Sequence, residues 1–157
     1  MSHRISYLYY EAGQAVAAAH LKLTIRHVSA NPADKPTDIV VPRSNPKARM
    51  ILLLTGMAAE KKGVGTSSPL RRARNRARVK AELDAIKLDE RLPAKPRIRL
   101  SAQSLFSQAQ DRANAICANL YPAIEQVVAR LHETPIIDGT EIQAIVAATK
   151  ARTPENP

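Results

Sequence analysis

The chain has 157 residues, 24 of them Lys or Arg against 14 Asp or Glu, for a formal net charge of +10, and 45% of it is hydrophobic. That length suits one domain with a core of its own, and that apolar content excludes disorder over most of the chain. Aromatics supply only 3% and Trp is absent, so Ala, Leu, Ile and Val must fill the core, which favours packed helices over a β-sandwich.

In chain order, Ser6 to about Leu23 is free of Pro and rich in Ala, and predicts a buried helix that neighbours approach closely. Thr24 to Ala30 alternates in a strand-like way, 31–37 holds two prolines and predicts a turn, and Asp38 to Val41 predicts a second short strand closed by Pro42. Pro46 to about Lys62 is a helix with a strongly apolar face, ending near Gly63. Ser68-Pro69 starts the next helix, which runs to about Asp89. A break at 92–99 follows, with Pro93 and Pro96. Then come helices from Ser101 to about Asn119 and from Ala123 to His132, interrupted or kinked at Pro122. Asp138-Gly139-Thr140-Glu141 has the form of a capping box, opening a last short helix whose Ile142, Ile145 and Val146 pack inward. The fold class expected is mainly α with a small β hairpin or short sheet (α+β), a single domain with its core at about 6–150 and a frayed tail at 151–157.

The charge is uneven. Eight basic residues and no acidic one lie between Lys61 and Lys80, supplying +8 of the +10. Such a helix serves an acidic partner, a nucleic-acid backbone, or simply solubility. Cys117 stands alone, which excludes an internal disulfide and points to a reducing compartment, the cytoplasm. The start carries no secretory signal, and the longest apolar run, Ala15 to Leu23, is interrupted by His20 and Lys22 and is too short to span a bilayer, so no membrane partner is expected.

Tyr10-Glu11-Ala12-Gly13-Gln14-Ala15-Val16 resembles the H-E-A-G-H-A-V element of FtsH-type ATP-dependent zinc metalloproteases. In that element two His residues on one helical face bind zinc and the Glu activates water. Collinear with it, 51–60 (I-L-L-L-T-G-M-A-A-E) is similar to the family's apolar helix ending in G-x-A-A-E. The stretch from His27 to Pro42-Arg43 resembles its strand pair with a P-R turn, and 136–142 (I-I-D-G-T-E-I) its closing L-D-G-x-E-I signature. The matches cover most of residues 6–150 and imply an FtsH-peptidase-like helical domain.

The resemblance also implies zinc, and there the chain departs from it. Tyr10 and Gln14 stand at the two His positions, and Pro69 aligns with the family's Asp ligand, so all three metal positions are degenerate and no cofactor is expected. Pro has no donor, a carboxamide is a poor ligand, and a neutral phenol is only an occasional one. Glu11 is the catalytic remnant, without a polarised water to deprotonate. It pairs with an Arg in the old pocket, or hydrogen-bonds with Tyr10 and Gln14 on adjacent turns. His20, ~240° around the helix from Gln14, faces elsewhere. The ATPase that normally accompanies such peptidases is not represented, since Gly63-Val64-Gly65-Thr66 lacks the Lys of a phosphate-binding loop.

Three functions compete. The first is an inactive pseudo-metalloprotease acting as a protein-interaction or regulatory module, with a protein partner. The second is non-specific nucleic-acid binding through the helix at 69–89, whose Arg71, Arg72, Arg74, Arg76, Arg78 and Lys80 put six cations in ten residues. These are spread around the helix, without interleaved aromatics for base stacking. The third is an atypical zinc peptidase, expected to yield stoichiometric zinc on elemental analysis. Oligomeric state does not follow from the sequence.

Overall fold

Helix formers with few interruptions, punctuated by Pro and Gly, translate into six helices and one small sheet among the described residues. The computed structural model describes residues 2–66, 68–90 and 102–153. The order is α1 (Ser2–His20), β1 (Thr24–Ser29), β2 (Asp38–Val40), α2 (Pro46–Val64), α3 (Pro69–Glu90), α4 (Ala102–Asn119), α5 (Tyr121–Glu133), β3 (Ile136–Asp138) and α6 (Gly139–Arg152). The fold is mainly α with a small antiparallel sheet, α+β, as composition led us to expect. No described helix is long and apolar enough to cross a membrane. The expected break at 92–99 and the last residues of the tail, 154–157, lie outside the described residues.

Local chemistry explains most boundaries, including those that depart from expectation. α1 begins at Ser2, four residues early, because its first turn (His3, Arg4, Ile5) is exposed and carries no apolar period. It ends in a Schellman turn: Leu23 N–H bonds the Ala18 carbonyl at 2.9 Å and Lys22 N–H the Ala19 carbonyl at 3.1 Å, with Lys22 left-handed at φ 58°. α2 starts under an Asn45 cap on Ala48 N–H, with Pro46 in its first turn.

α2 stops near Gly63 as expected, at Val64, but Gly63 itself is not the stop signal. A Cβ there would lie 2.4 Å from the Tyr9 ring, so this glycine makes room for an aromatic side chain, and Gly65, at φ 82°, is the left-handed stop. The interruption expected at Pro122 falls at Leu120, and Pro122 itself lies in the first turn of α5, which starts at Tyr121. β3 was not anticipated as a strand. Asp138 caps Glu141 N–H at 2.9 Å as expected, but the Glu141 side chain turns to Arg130 at 2.5 Å instead of closing the box.

The sheet order is β2-β1-β3, all antiparallel, with Val28 opposite Ile137 and Ile25 opposite Ile39, and a bulge between Ile25 and His27. α1 packs against α2, α5, α6 and β1. Leu8, Ala12, Val16, Met50, Ile124, Leu131, Ile137 and Ile142 are fully or almost fully buried among these elements. α2 comes close to α1 at Gly56, where a Cβ would fall 2.9 Å from the Tyr10 ring and 3.0 Å from Gln14 Cγ. That contact sets the direction in which Tyr10 and Gln14 leave α1, and α3 lies across the same face.

Candidate functional site

On α1, Tyr7, Tyr10, Glu11 and Gln14 recur at helical spacing and share one face. They line a cleft of about 810 Å³ whose other walls are Thr37 and Ile39 from the β2 side, Leu52 and Leu53 from α2, and Arg71, Arg74, Asn75 and Arg78 from α3. A cavity of similar size, about 890 Å³, lies behind α2 against α4, lined by Leu54, Met57, Lys62 and Cys117 among others. Unsatisfied chemistry decides between them. Four buried side-chain atoms lack a hydrogen-bond partner among the described residues: Glu11 Oε2, Asn75 Nδ2, His20 Nδ1 and Glu60 Oε2. Two of these four, on Glu11 and Asn75, belong to residues lining the first cleft, and none to residues lining the second. Buried polar groups are almost always paired, so the first cleft is the candidate site.

Glu11 is 7% exposed. Burial raises its affinity for a proton; the hydroxyls of Thr37 and Tyr7 and the charges of Arg71 and Arg78 oppose that rise without cancelling it. The hydroxyls that bear on its titration are those of Tyr7 and Thr37. Thr37 Oγ1 in turn accepts from Ser29 N–H at 3.0 Å, which fixes it against β1. The Tyr10 hydroxyl instead donates to Asn75 Oδ1 at 2.9 Å, and burial, then the charge of Glu11, push its pKa up to about 12. The Arg71 guanidinium lies 5.7 Å from the Tyr7 ring centre and 5.6 Å from that of Tyr10.

Of the three positions aligned with metal ligands, Tyr10 and Gln14 meet at the cleft, whereas Pro69 is exposed and is not among its lining. The donor set does not fit zinc. The Tyr10 phenol is committed as a donor and far from ionising, Gln14 offers a carboxamide, and Glu11 is the one carboxylate beside them. Among the described residues no group of three His, Cys, Asp or Glu could hold a metal ion. His20 faces away from the cleft, with burial first and then Lys150 and Arg112 lowering its pKa. His27 is engaged with the Pro36 carbonyl at 2.7 Å.

The basic helix divides into two stripes. Arg71, Arg74 and Arg78, at i, i+3 and i+7, line the cleft. Arg72 lines the cavity behind α2, and Arg76 and Lys80 line a smaller pocket with Leu83 and Phe106. Between the stripes, Asn75 and Val79 form the buried ridge. Arg71 is not a free cation: it bonds Ser6 Oγ at 2.9 Å and ion-pairs with Glu60, which is fully buried and also accepts from Ser6. At the far end of the cleft Arg49 pairs with Glu82 at 3.6 Å and bonds the Val41 and Pro42 carbonyls at 3.2 and 3.1 Å.

Sequence reasoning passed over Asn75, Thr37, Arg49 and Glu60. Asn75 had a signal, being the one uncharged polar residue within 71–80. The others become site residues only through contacts between distant parts of the chain. Compared with known families and curated proteins, the chain matches no family model and none of the curated sequences.

The titration of Glu11 has a measurable consequence. Its folded-state pKa lies above the ordinary 4.5, so above that pH the folded chain holds a proton that the unfolded chain has released. Its contribution to stability is present at low pH and is lost as pH rises through the folded pKa. Glu11→Gln should therefore melt with the wild type near pH 4 and above it at neutral pH, by roughly 2–4 °C. A melting difference independent of pH would show that Glu11 is not held by burial.

Proposed function

We propose that this chain is a non-enzymatic, FtsH-peptidase-like protein that binds a partner polypeptide in the cleft between α1, β2 and α3. The observation that carries this reading is the pair of unpartnered buried atoms at that cleft, Glu11 Oε2 and Asn75 Nδ2, beside metal positions whose side chains do not suit zinc. The order and burial of the elements are compatible with the resemblance. The buried Glu60 closes the A-A-E segment, and the D-G-T-E segment caps α6. Tyr10 and Gln14 do not suit a Lewis-acid metal, and without a polarised water Glu11 has nothing to deprotonate, which supports binding over amide hydrolysis. The free, buried Cys117 supports a reducing compartment such as the cytoplasm.

A direct test is a peptide array probed with the wild type and with Gln14→Trp, which places a bulky ring in the cleft wall. Retention of peptides by the wild type and their loss by the variant supports the reading, and equal retention sinks it. Stoichiometric zinc together with peptidase activity abolished by Glu11→Gln would establish the metallopeptidase instead. Non-specific nucleic-acid binding is favoured by one feature, the outer stripe of Arg72, Arg76 and Lys80, whose charges carry no ion pair among the described residues. It would show as duplex affinity falling steeply with salt and lost in Arg72→Gln/Arg76→Gln.

A further inference from the structure

Arg74 and Arg78 differ from the other arginines at the cleft. Arg71 is neutralised by Glu60 and Arg49 faces Glu82, but Arg74 and Arg78 carry no ion pair among the described residues. Both are exposed at the cleft wall, so their guanidinium groups are accessible to a ligand. They lie one turn apart on α3, about 6 Å along the axis. Alternate side chains of an extended peptide leave the same face about 6.6 Å apart. Two carboxylates at positions i and i+2 of an extended segment therefore match the two guanidiniums in spacing and charge.

The buried atoms narrow the ligand further. Glu11 carries an unused oxygen and Asn75 an unused amide N–H, both buried, so a ligand reaches them once their side chains turn into the cleft. A peptide unit presents one N–H and one carbonyl, and so supplies the complement of both. A phosphodiester has acceptors alone: it can satisfy Asn75 and the arginines but, once Glu11 has ionised, brings no donor to it. Ile39, Leu52 and Leu53 give the cleft an apolar wall beside these groups. We infer that the cleft takes an extended acidic peptide segment of a protein partner, with Asp or Glu at alternate positions paired to Arg74 and Arg78 and its backbone hydrogen-bonded to Glu11 and Asn75. This rests on the peptide-binding reading above and names its ligand class.

The test uses fluorescence anisotropy on the full chain with labelled ten-residue peptides. One carries Glu at alternate positions, a second has Gln in their place, and a third has the same Glu residues in one block. The alternating peptide should bind about tenfold more tightly than the Gln peptide, as expected for two charge-assisted contacts. Arg74→Gln/Arg78→Gln should remove that advantage, while the charge-matched Arg72→Gln/Arg76→Gln should change affinity by less than about threefold. Equal binding of the Gln or blocked peptide overturns the acidic register but leaves a peptide-binding cleft in place. Equal loss in both double variants overturns it in favour of diffuse attraction. Binding of duplex DNA with no peptide bound, or no binding of any probe, overturns both the inference and the reading beneath it.

Discussion

Gly139→Ala is expected to destabilise the protein more than any other single methyl addition considered, by more than about 4 kcal/mol. A Cβ on Gly139 would stand 1.9 Å from the Ile25 carbonyl oxygen and 2.8 Å from its carbon. Both are backbone atoms of β1, held in register by β2 on one side and β3 on the other. A flexible side chain could rotate away; a paired strand cannot. Relief would require α6 to retreat from β1, exposing Ile142 and Val146, which are buried at that contact. Domains of this size are stable by about 5–15 kcal/mol, so the variant should lose a large share of its folded population. Urea unfolding followed by circular dichroism measures it, with Thr140→Ala, one residue on and exposed, as a control within about 0.5 kcal/mol of the wild type. A Gly139→Ala midpoint equal to the wild type would refute the β1–α6 contact.

The second large effect is expected at Arg71. Glu60 has no solvent exposure, and Arg71, with 19% of its side chain exposed, supplies its counter-charge. Arg71→Met leaves a carboxylate buried without its partner, a loss on the order of 3–5 kcal/mol. Glu60→Leu should cost less, because the freed guanidinium can turn to water and to the Tyr7 and Tyr10 rings that already flank it. The double replacement Glu60→Leu/Arg71→Met should recover most of the Arg71→Met loss, since exchanging a buried pair for apolar groups is often near neutral. Additive losses in the cycle would mean that the pair is not coupled. The same experiment separates Arg71 from Arg74 and Arg78: its removal should register in stability, theirs in ligand affinity.

Several parts of this architecture were legible before any coordinates. Pro46 and Ser68-Pro69 announce α2 and α3, Asp138 announces α6, and the alternation in 24–30 and the short apolar run closed by Pro42 announce β1 and β2. These signals are local: a proline, a cap or a period acts through its own neighbours. β3 escaped because three residues are too few for a period of two, and Ile136–Asp138 is a strand only because β1 presents a free edge to it. The role of Gly63 escaped for a similar reason, since the ring it accommodates belongs to Tyr9, far away in sequence.

For the site, the resemblance to FtsH-type peptidases singled out Tyr10, Glu11 and Gln14, and residue types showed the lack of good metal donors there and the concentration of charge in α3. They could not say which arginines remain free. That depended on α3 docking along Asn75 and Val79, which turns Arg74 and Arg78 to the cleft, Arg72 and Arg76 away from it, and Arg71 onto Glu60. Nor could they show that Glu11 Oε2 and Asn75 Nδ2 are buried without partners at one cleft. Helix boundaries and charge are set by short-range chemistry written along the chain. Which charges are neutralised, and which polar atoms lose water, is set by contacts between segments some sixty residues apart, and these exist only once α1, α2 and α3 have packed together.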